Sequence, residues 1–432
     1  MLALRRSSQT RRVTRPGSRG PALLALTAGL ALAAPSVAAA GITESFAAPN
    51  GQSSAACSEA DPCDIRTAVG KGGDVLLVGG DYSLDADDLF LSDGTDLGPA
   101  DADAEPPLIQ LSGAASVFPL NGSTLHDLRI NGGTSSAVFT DPSATGGPLI
   151  ERVEVTGSNG QPTCRVSGGI IRDSVCANRG QGQGLASLTN GADDEVNVKV
   201  RNVTAYSESG SAVVLDAVAD SDLSFVARNL IADGSDDRND IAGVSGPGGT
   251  IVGDLDFSNF VTSYDGPYPG ATIDISDPGT ASNQTAQPLF VDVAGGDFRQ
   301  AANSPTIDAG DSSASDLGDL DLDRTDRVQG GAIDIGAYEA DTTKPTVKIT
   351  KGPAKKTRTR TATFRFTGSD DSGPVLFSCR LDGKPARPCS SPTTYRNLKP
   401  GRHTFTVTGS DDAGNKTTKR YGWKVVKKKR RG

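Results

Sequence analysis

Six phrases along the middle of the chain share one alternation of apolar and polar positions: LHDLRI (125–130), IERVEV (150–155), IRDSVC (171–176), VRNVTA (200–205), ARNLIA (227–232) and FSNFVT (257–262). Each is too short for a helix, alternates with period two, and is followed by Gly, Ser, Asn or Asp. They predict strands. Their third residues, Asp127, Arg152, Asp173, Asn202, Asn229 and Asn259, stand 25, 21, 29, 27 and 30 residues apart. A strand returning at that interval, with no helical pattern between recurrences, is the mark of a solenoid whose coils stack strand on strand around a narrow apolar core. The polar third position fits a bend beside the strand. There the amides of Asn202, Asn229 and Asn259 are expected to hydrogen-bond to the coils above and below.

After Glu339 the pattern changes. TATFRFTGSDDSG, VLFSCRLDG, RHTFTVTGSDDAGN and YGWKVV alternate as strands about ten residues apart, which predicts a small antiparallel sandwich with Phe405, Val407 and Trp423 in its core. The two GSDD stretches, 368–371 and 409–412, offer contacts for calcium but read first as two related turns.

The flanks resemble known families. CSEADPCDIRTAVGKGGDVLLVGGDYSL (57–84) is similar to the opening of right-handed parallel β-helices of the pectate-lyase-like class, with a cysteine pair, a short capping helix over DIRTAV and a Gly-Asp entry to the coils. SPTIDAGD (304–311), followed by DLDLDRTDRVQGGAIDIGAYEA (319–340), resembles the closing segment of secreted bacterial "choice-of-anchor Q" β-helix proteins. FSCRLDGKPARPC, LKPGRHTFTV and DDAGN resemble bacterial immunoglobulin-like modules, which space, present or anchor their neighbours. The expected fold is all-β: a right-handed single-stranded parallel β-helix followed by a small antiparallel immunoglobulin-like β-sandwich. The expected boundaries are a signal peptide at 1–40, the β-helix at 41–340, a linker and first strand at 341–353, the module at 354–426 and a basic tail at 427–432. Asp308 and Asp334, 26 residues apart in two Ile-Asp-X-Gly copies, read as corners of successive coils.

Composition sharpens this picture. Six arginines precede an apolar run and a small-residue stretch ending near Ala40, the form of an export signal, and no later segment approaches the roughly 18 apolar residues of a membrane span. The expected location is secreted or cell-surface. Cys57 and Cys63, Cys164 and Cys176, and Cys379 and Cys389 form sequence-local pairs with no histidine nearby, which predicts three disulfides and no zinc site. Residues 342–432 hold 23 Lys and Arg against 5 Asp and Glu, whereas residues 41–341 hold 14 against 47. The basic end, with Lys427, Lys428, Lys429, Arg430 and Arg431 at its tip, suits an anionic surface, phosphate-rich cell-wall polymer or anionic lipid, against a simply solvated tail, and nucleic acid is not an expected partner of an exported chain.

Candidate chemistry is sparse. The Asn-Thr-Asp, Gly-His-Gly and Arg-Ile-Lys segments of polygalacturonases are absent. His126 reads as a packed or surface residue rather than a base. Arg152, Arg172, Arg201 and Arg228 recur at the second or third position of successive phrases. Such a column either binds a polyanion, serves a lyase as a base, or pairs with neighbouring carboxylates such as Asp127, Glu151 and Asp173. Tyr264 and Tyr268 in TSYDGPYPG offer a loop for a sugar, or an ordinary turn. Asp316, Asp319, Asp321, Asp323 and Asp326 fall at alternate or near-alternate positions, so Ca²⁺ is the one cofactor to expect, against a solvated acidic loop. The functional expectation is a non-catalytic surface or extracellular protein that binds or adheres to a polysaccharide or cell-wall polymer. The alternative is a Ca²⁺-dependent polysaccharide lyase acting on acidic glycan.

Overall fold

The structure is a computed structural model. It describes residues 44–432 except 86, 141–146, 158, 235–238, 262, 268, 281, 371, 372, 412 and 428–432. The expected export signal, Tyr268, and Lys428, Lys429, Arg430 and Arg431 of the tail lie outside the described residues.

Period-two alternation buries every second side chain of a strand, and in parallel register it builds columns. One column of directly paired residues, Leu97, Leu125, Ile150, Ile171, Val200, Ala227 and Leu255, runs through seven coils and is buried throughout. Its strands belong to a long parallel sheet that includes Thr124–Asn131, Leu149–Gly157, Gly169–Asn178, Glu195–Ser207, Asp222–Arg228 and Thr250–Asp256. A second parallel sheet of eight short strands, from Leu89–Leu91 to Ser263–Pro267, closes the other side of each coil. This is the β-solenoid that the recurring phrases predict. Helix Ile65–Lys71 begins at Asp64, whose carboxylate accepts the Thr67 N–H at 2.9 Å. It buries Ile65, Ala68 and Val69 into the core of the first coil, as the capping role requires.

The bend beside each strand is made by left-handed backbone at Asp127, Arg152, Asp173, Asn202 and Asn229, with φ between 49° and 58°. The Asn202 amide donates to Asp173 Oδ1 at 2.8 Å, and the Asn229 amide donates to Asn202 Oδ1 at 2.9 Å, so the amide ladder exists. Its last rung differs from expectation. The left-handed residue of the next coil is Phe257, with φ 48°, while Asn259 lies past the bend and donates to the Ala286 carbonyl at 2.8 Å. A phenylalanine bears the left-handed cost that asparagine largely escapes, about 1 kcal/mol. Phe257→Asn is therefore expected to raise unfolding stability by about that amount in a denaturant titration.

The two Ile-Asp-X-Gly copies do not form successive coils; this corrects the sequence reading. After Ile275 the chain makes a hairpin, Phe290–Asp292 with Asp297–Gln300, and then runs back along the outside of the bends. Asp311 N–H donates to Asn229 Oδ1 at 2.6 Å, the Ser315 carbonyl accepts from Arg201 at 2.8 Å, and Arg324 reaches Asp127 at 2.9 Å. The segment thus descends the stack and then returns, with Gly336 N–H donating to the Asn229 carbonyl at 2.9 Å and Ala337 N–H to Thr204 Oγ1 at 3.1 Å. The copies lie side by side within this strap. Asp334 Oδ1 accepts Asp308 N–H at 2.7 Å, and Asp308 Oδ1 accepts Gly331 N–H at 2.6 Å. Gly336 has φ 106°, and a Cβ there would meet Ile231 Cδ1 at 2.7 Å, so only glycine lets DIGAYE lie flat on the coils. Val175 and Ala177, on the outer face of the long sheet, join Phe298, Leu322, Ala337 and Tyr338 in a small core under the strap.

Residues Thr346–Val425 form two small, mainly antiparallel sheets that share one core of Val347, Phe364, Phe366, Phe405, Val407 and Trp423. Phe364 stacks on Phe405 with centroids 4.0 Å apart. All three expected disulfides are formed.

Candidate functional site

The arginine column stands in register, with Glu151 beside Arg172, Arg172 beside Arg201 and Arg201 beside Arg228. Every member is committed. Arg152 grips both Asp127 oxygens at 2.8 and 2.9 Å, and Arg172 pairs with Glu151. Arg201 is 4 % exposed and spends its donors on the Ser315, Val200 and Val226 carbonyls, while Arg228 bonds Asp254 at 2.9 Å. Of the expected uses, pairing with neighbouring acids and carbonyls is the one the geometry serves. A lyase base must shed a proton; burial alone would lower the Arg152 pKa, but its hydrogen bonds to Asp127 and Glu151 and their charges outweigh that and hold it above its ordinary range.

His126 sits between Asp127 Oδ2 at 2.7 Å and Asp96 Oδ1 at 3.2 Å. Burial alone would lower its pKa, but hydrogen bonds to the two carboxylates outweigh that and push it up to about 9. At neutral pH it is an imidazolium locked in an ion cluster, a packed residue as expected. His403, on the strand Gly401–Ser410, is likewise fixed, with Nδ1 2.6 Å from Asp382 Oδ2 and Nε2 2.7 Å from the Lys399 carbonyl.

The acidic loop does not gather its five carboxylates at one point. Asp316 pairs with Lys199 at 2.9 Å, and Asp323 binds Arg299 through both oxygens at 2.6 Å. Asp321 is fully buried and accepts N–H groups from Thr325 and Glu339. Asp319 contributes its carbonyl to Arg327 N–H, and Asp326 bridges to Leu320. Tyr264 lies on the strand Ser263–Pro267, paired with Ala242, and Lys427 is exposed at the end of the described chain.

The strap creates a site that residue patterns did not reveal. Where the hairpin and strap face the outer side of the coils, a cleft of ≈ 330 Å³ opens, lined among others by Arg129, Arg152, Glu154, Arg299, Asp323 and Tyr338. A second hollow of ≈ 550 Å³ shares Glu154, Gly295 and Gly296 and adds Asn131, Thr156, Arg179 and Glu208. Arg129 and Glu154 are partners in adjacent strands, as are Asn131 and Thr156, so one wall is the outer face of the long sheet. Arg129 pairs with Glu105 at 3.0 Å and remains partly exposed. Arg299 lies over the Tyr338 ring, 5.2 Å from its centroid. Glu154 has no ion pair among the described residues. Burial raises its pKa, with Arg129 and Arg299 opposing. The result is an open trough of guanidinium, carboxylate and amide groups with one aromatic ring. Such groups satisfy hydroxyl-rich ligands rather than apolar ones.

The second sheet carries a different surface. Phe90, Phe118 and Phe139 stack one coil apart, with centroids 4.8 and 4.7 Å apart, and Arg165 covers Phe139 at 4.4 Å. The phrases LFL, VFP and VF hold this signal, a Phe preceded by a buried apolar residue once per coil.

No family model matches the chain, and no curated protein matches it. The fold and site define a β-solenoid with a laterally packed return segment and a small C-terminal antiparallel β-module.

Proposed function

We propose that this is an exported surface or extracellular protein of the pectate-lyase-like, "choice-of-anchor Q" type, which binds a polysaccharide or cell-wall polymer without cleaving it. The C-terminal unit serves as an immunoglobulin-like module that presents or anchors the solenoid. The observation that carries this reading is the polar trough along the coil stack. It is open, runs across several coils and is lined by paired guanidinium and carboxylate groups that donate to and accept from hydroxyls.

A second reading has one observation in its favour. Glu154, half-buried, without an ion pair among the described residues and biased toward its protonated form, has the character of a catalytic acid. Hydrolysis needs a second carboxylate facing it, and Asp323, which lines the same cleft, is held by Arg299 through both oxygens.

The binding test is a glycan array or affinity gel with the wild type and two variants. Arg129→Ala removes an exposed donor whose pairing with Glu105 contributes little to stability. It is expected to weaken retention about tenfold, the effect of one lost charge-assisted hydrogen bond. Phe118→Ala, on the opposite sheet, is expected to leave retention unchanged. Loss of retention in Phe118→Ala but not in Arg129→Ala would move the site to the aromatic column and overturn the assignment.

A further inference from the structure

Asp370 and Asp411, the third residues of the two GSDD stretches, meet at one point. Asp370 follows the strand Ala362–Ser369, Asp411 follows Gly401–Ser410, and Asp341 lies where the strap passes into the C-terminal module. One carboxylate oxygen from each of the three lies within 4.8 Å of the other two. Asp341 and Asp411 each use one oxygen to shape the site. Asp341 Oδ1 accepts Thr343 N–H at 2.8 Å, and Asp411 Oδ1 accepts Asn415 N–H at 2.7 Å. The Asn415 side chain ties the turn to the junction by donating to the Asp341 carbonyl at 2.7 Å.

The independent observation is Asp411. Its residue is 4 % exposed, yet its Oδ2 is buried without a hydrogen-bond donor, and Asp341 Oδ2 is in the same condition. Among the described residues, no lysine or arginine pairs with either, although the module is rich in both. A buried carboxylate oxygen facing two further carboxylates is costly unless a cation neutralises it.

We propose that Asp341, Asp370 and Asp411 form a binding site for Ca²⁺ at the junction between the strap and the C-terminal module. All-oxygen, carboxylate-rich ligation is the chemistry of a hard divalent cation, and extracellular modules bind Ca²⁺ with dissociation constants of roughly 0.1–1 mM. Occupancy would clamp both turns of the module to the residue that leaves the strap, fixing the joint. This site is separate from the trough and does not depend on the polymer-binding reading.

The test is thermal unfolding of the full chain, followed by fluorescence of Trp423, the sole tryptophan and a core residue of the module. Titration with CaCl₂ after chelation is expected to raise the melting midpoint by roughly 5–10 °C at tenfold the dissociation constant. Asp411→Asn and Asp341→Asn are each expected to lose that response. In chelator, each is also expected to melt at or above the wild type, because one of three mutually repelling charges is gone. That reversal separates a cation site from a structural role, and Asp341→Asn carries the test if Asp411→Asn fails to fold. A wild-type midpoint unmoved by ~10 mM Ca²⁺, or an undiminished Ca²⁺ response in a folded variant, would overturn the proposal.

Discussion

Replacing Arg327 with alanine is expected to release the strap and destabilise the protein by about 3–5 kcal/mol, the usual cost of removing one partner from a buried ionic network. Arg327 is 3 % exposed and donates to the carbonyls of Asp334, Gly336 and Ala337. It also stands 3.6 Å from Asp173 and 3.7 Å from Glu339, both on side chains essentially closed to solvent. Without its charge, three carbonyls lose a donor and the buried acids lose their nearest cation. The pH dependence follows from the same geometry. Burial pushes Asp173 and Asp334 up to about 6 and Glu339 up to about 9. Folded-state values raised above the unfolded ones mean that the folded state holds extra protons. The stability these groups contribute is therefore full below the ordinary carboxylate range and is lost as pH rises through 6 and then 9. Arg327 offsets that loss, so Arg327→Ala is expected to be less destabilising at about pH 5 than at about pH 8. Denaturant titrations at the two pH values check both the size and the ordering.

The second large effect is expected at Asn229. It is wholly buried with φ 58°, and its side chain joins the bend ladder to the strap by donating to Asn202 Oδ1 and accepting Asp311 N–H. Asn229→Ala places a Cβ without compensation in left-handed backbone, about 1 kcal/mol, and orphans two buried groups at about 1–3 kcal/mol each. A loss of about 3–7 kcal/mol follows. Asn229→Gly tolerates the backbone but not the lost hydrogen bonds, so it is expected to recover only about 1 kcal/mol of the alanine loss. Equal stability of the two variants would show that backbone conformation contributes nothing at this bend.

The coils were legible in the sequence because their cause is local: alternation sets which face of a strand is buried, and a polar bend residue recurs at the same phase. The three disulfides were legible because their cysteines are close in sequence. The final rung was misplaced because Asn259 has the right chemistry, whereas the backbone register puts Phe257 at the bend. The strap escaped detection for a related reason. Aspartate accepting a backbone N–H, followed by glycine, looks the same in a coil corner and in a segment folded back on the coils. The 26-residue interval between Asp308 and Asp334 matched a coil's length. The contacts that decide the matter join Arg324 to Asp127 and Asp311 to Asn229, far apart in the chain. The trough was invisible for the same cause, because Arg129 and Glu154 occupy ordinary outward positions until the strap supplies the opposite wall. The acidic loop offered carboxylates at suggestive spacing, but arginine, lysine and backbone partners take them up one by one.

The most direct test of polymer binding without cleavage is to incubate the purified protein with each polysaccharide it retains and measure the chain length and the new chain ends of the polymer. The account predicts polymer of unchanged length. Shortened chains whose formation stops in Glu154→Gln, while binding persists, would contradict it and make the trough an active site.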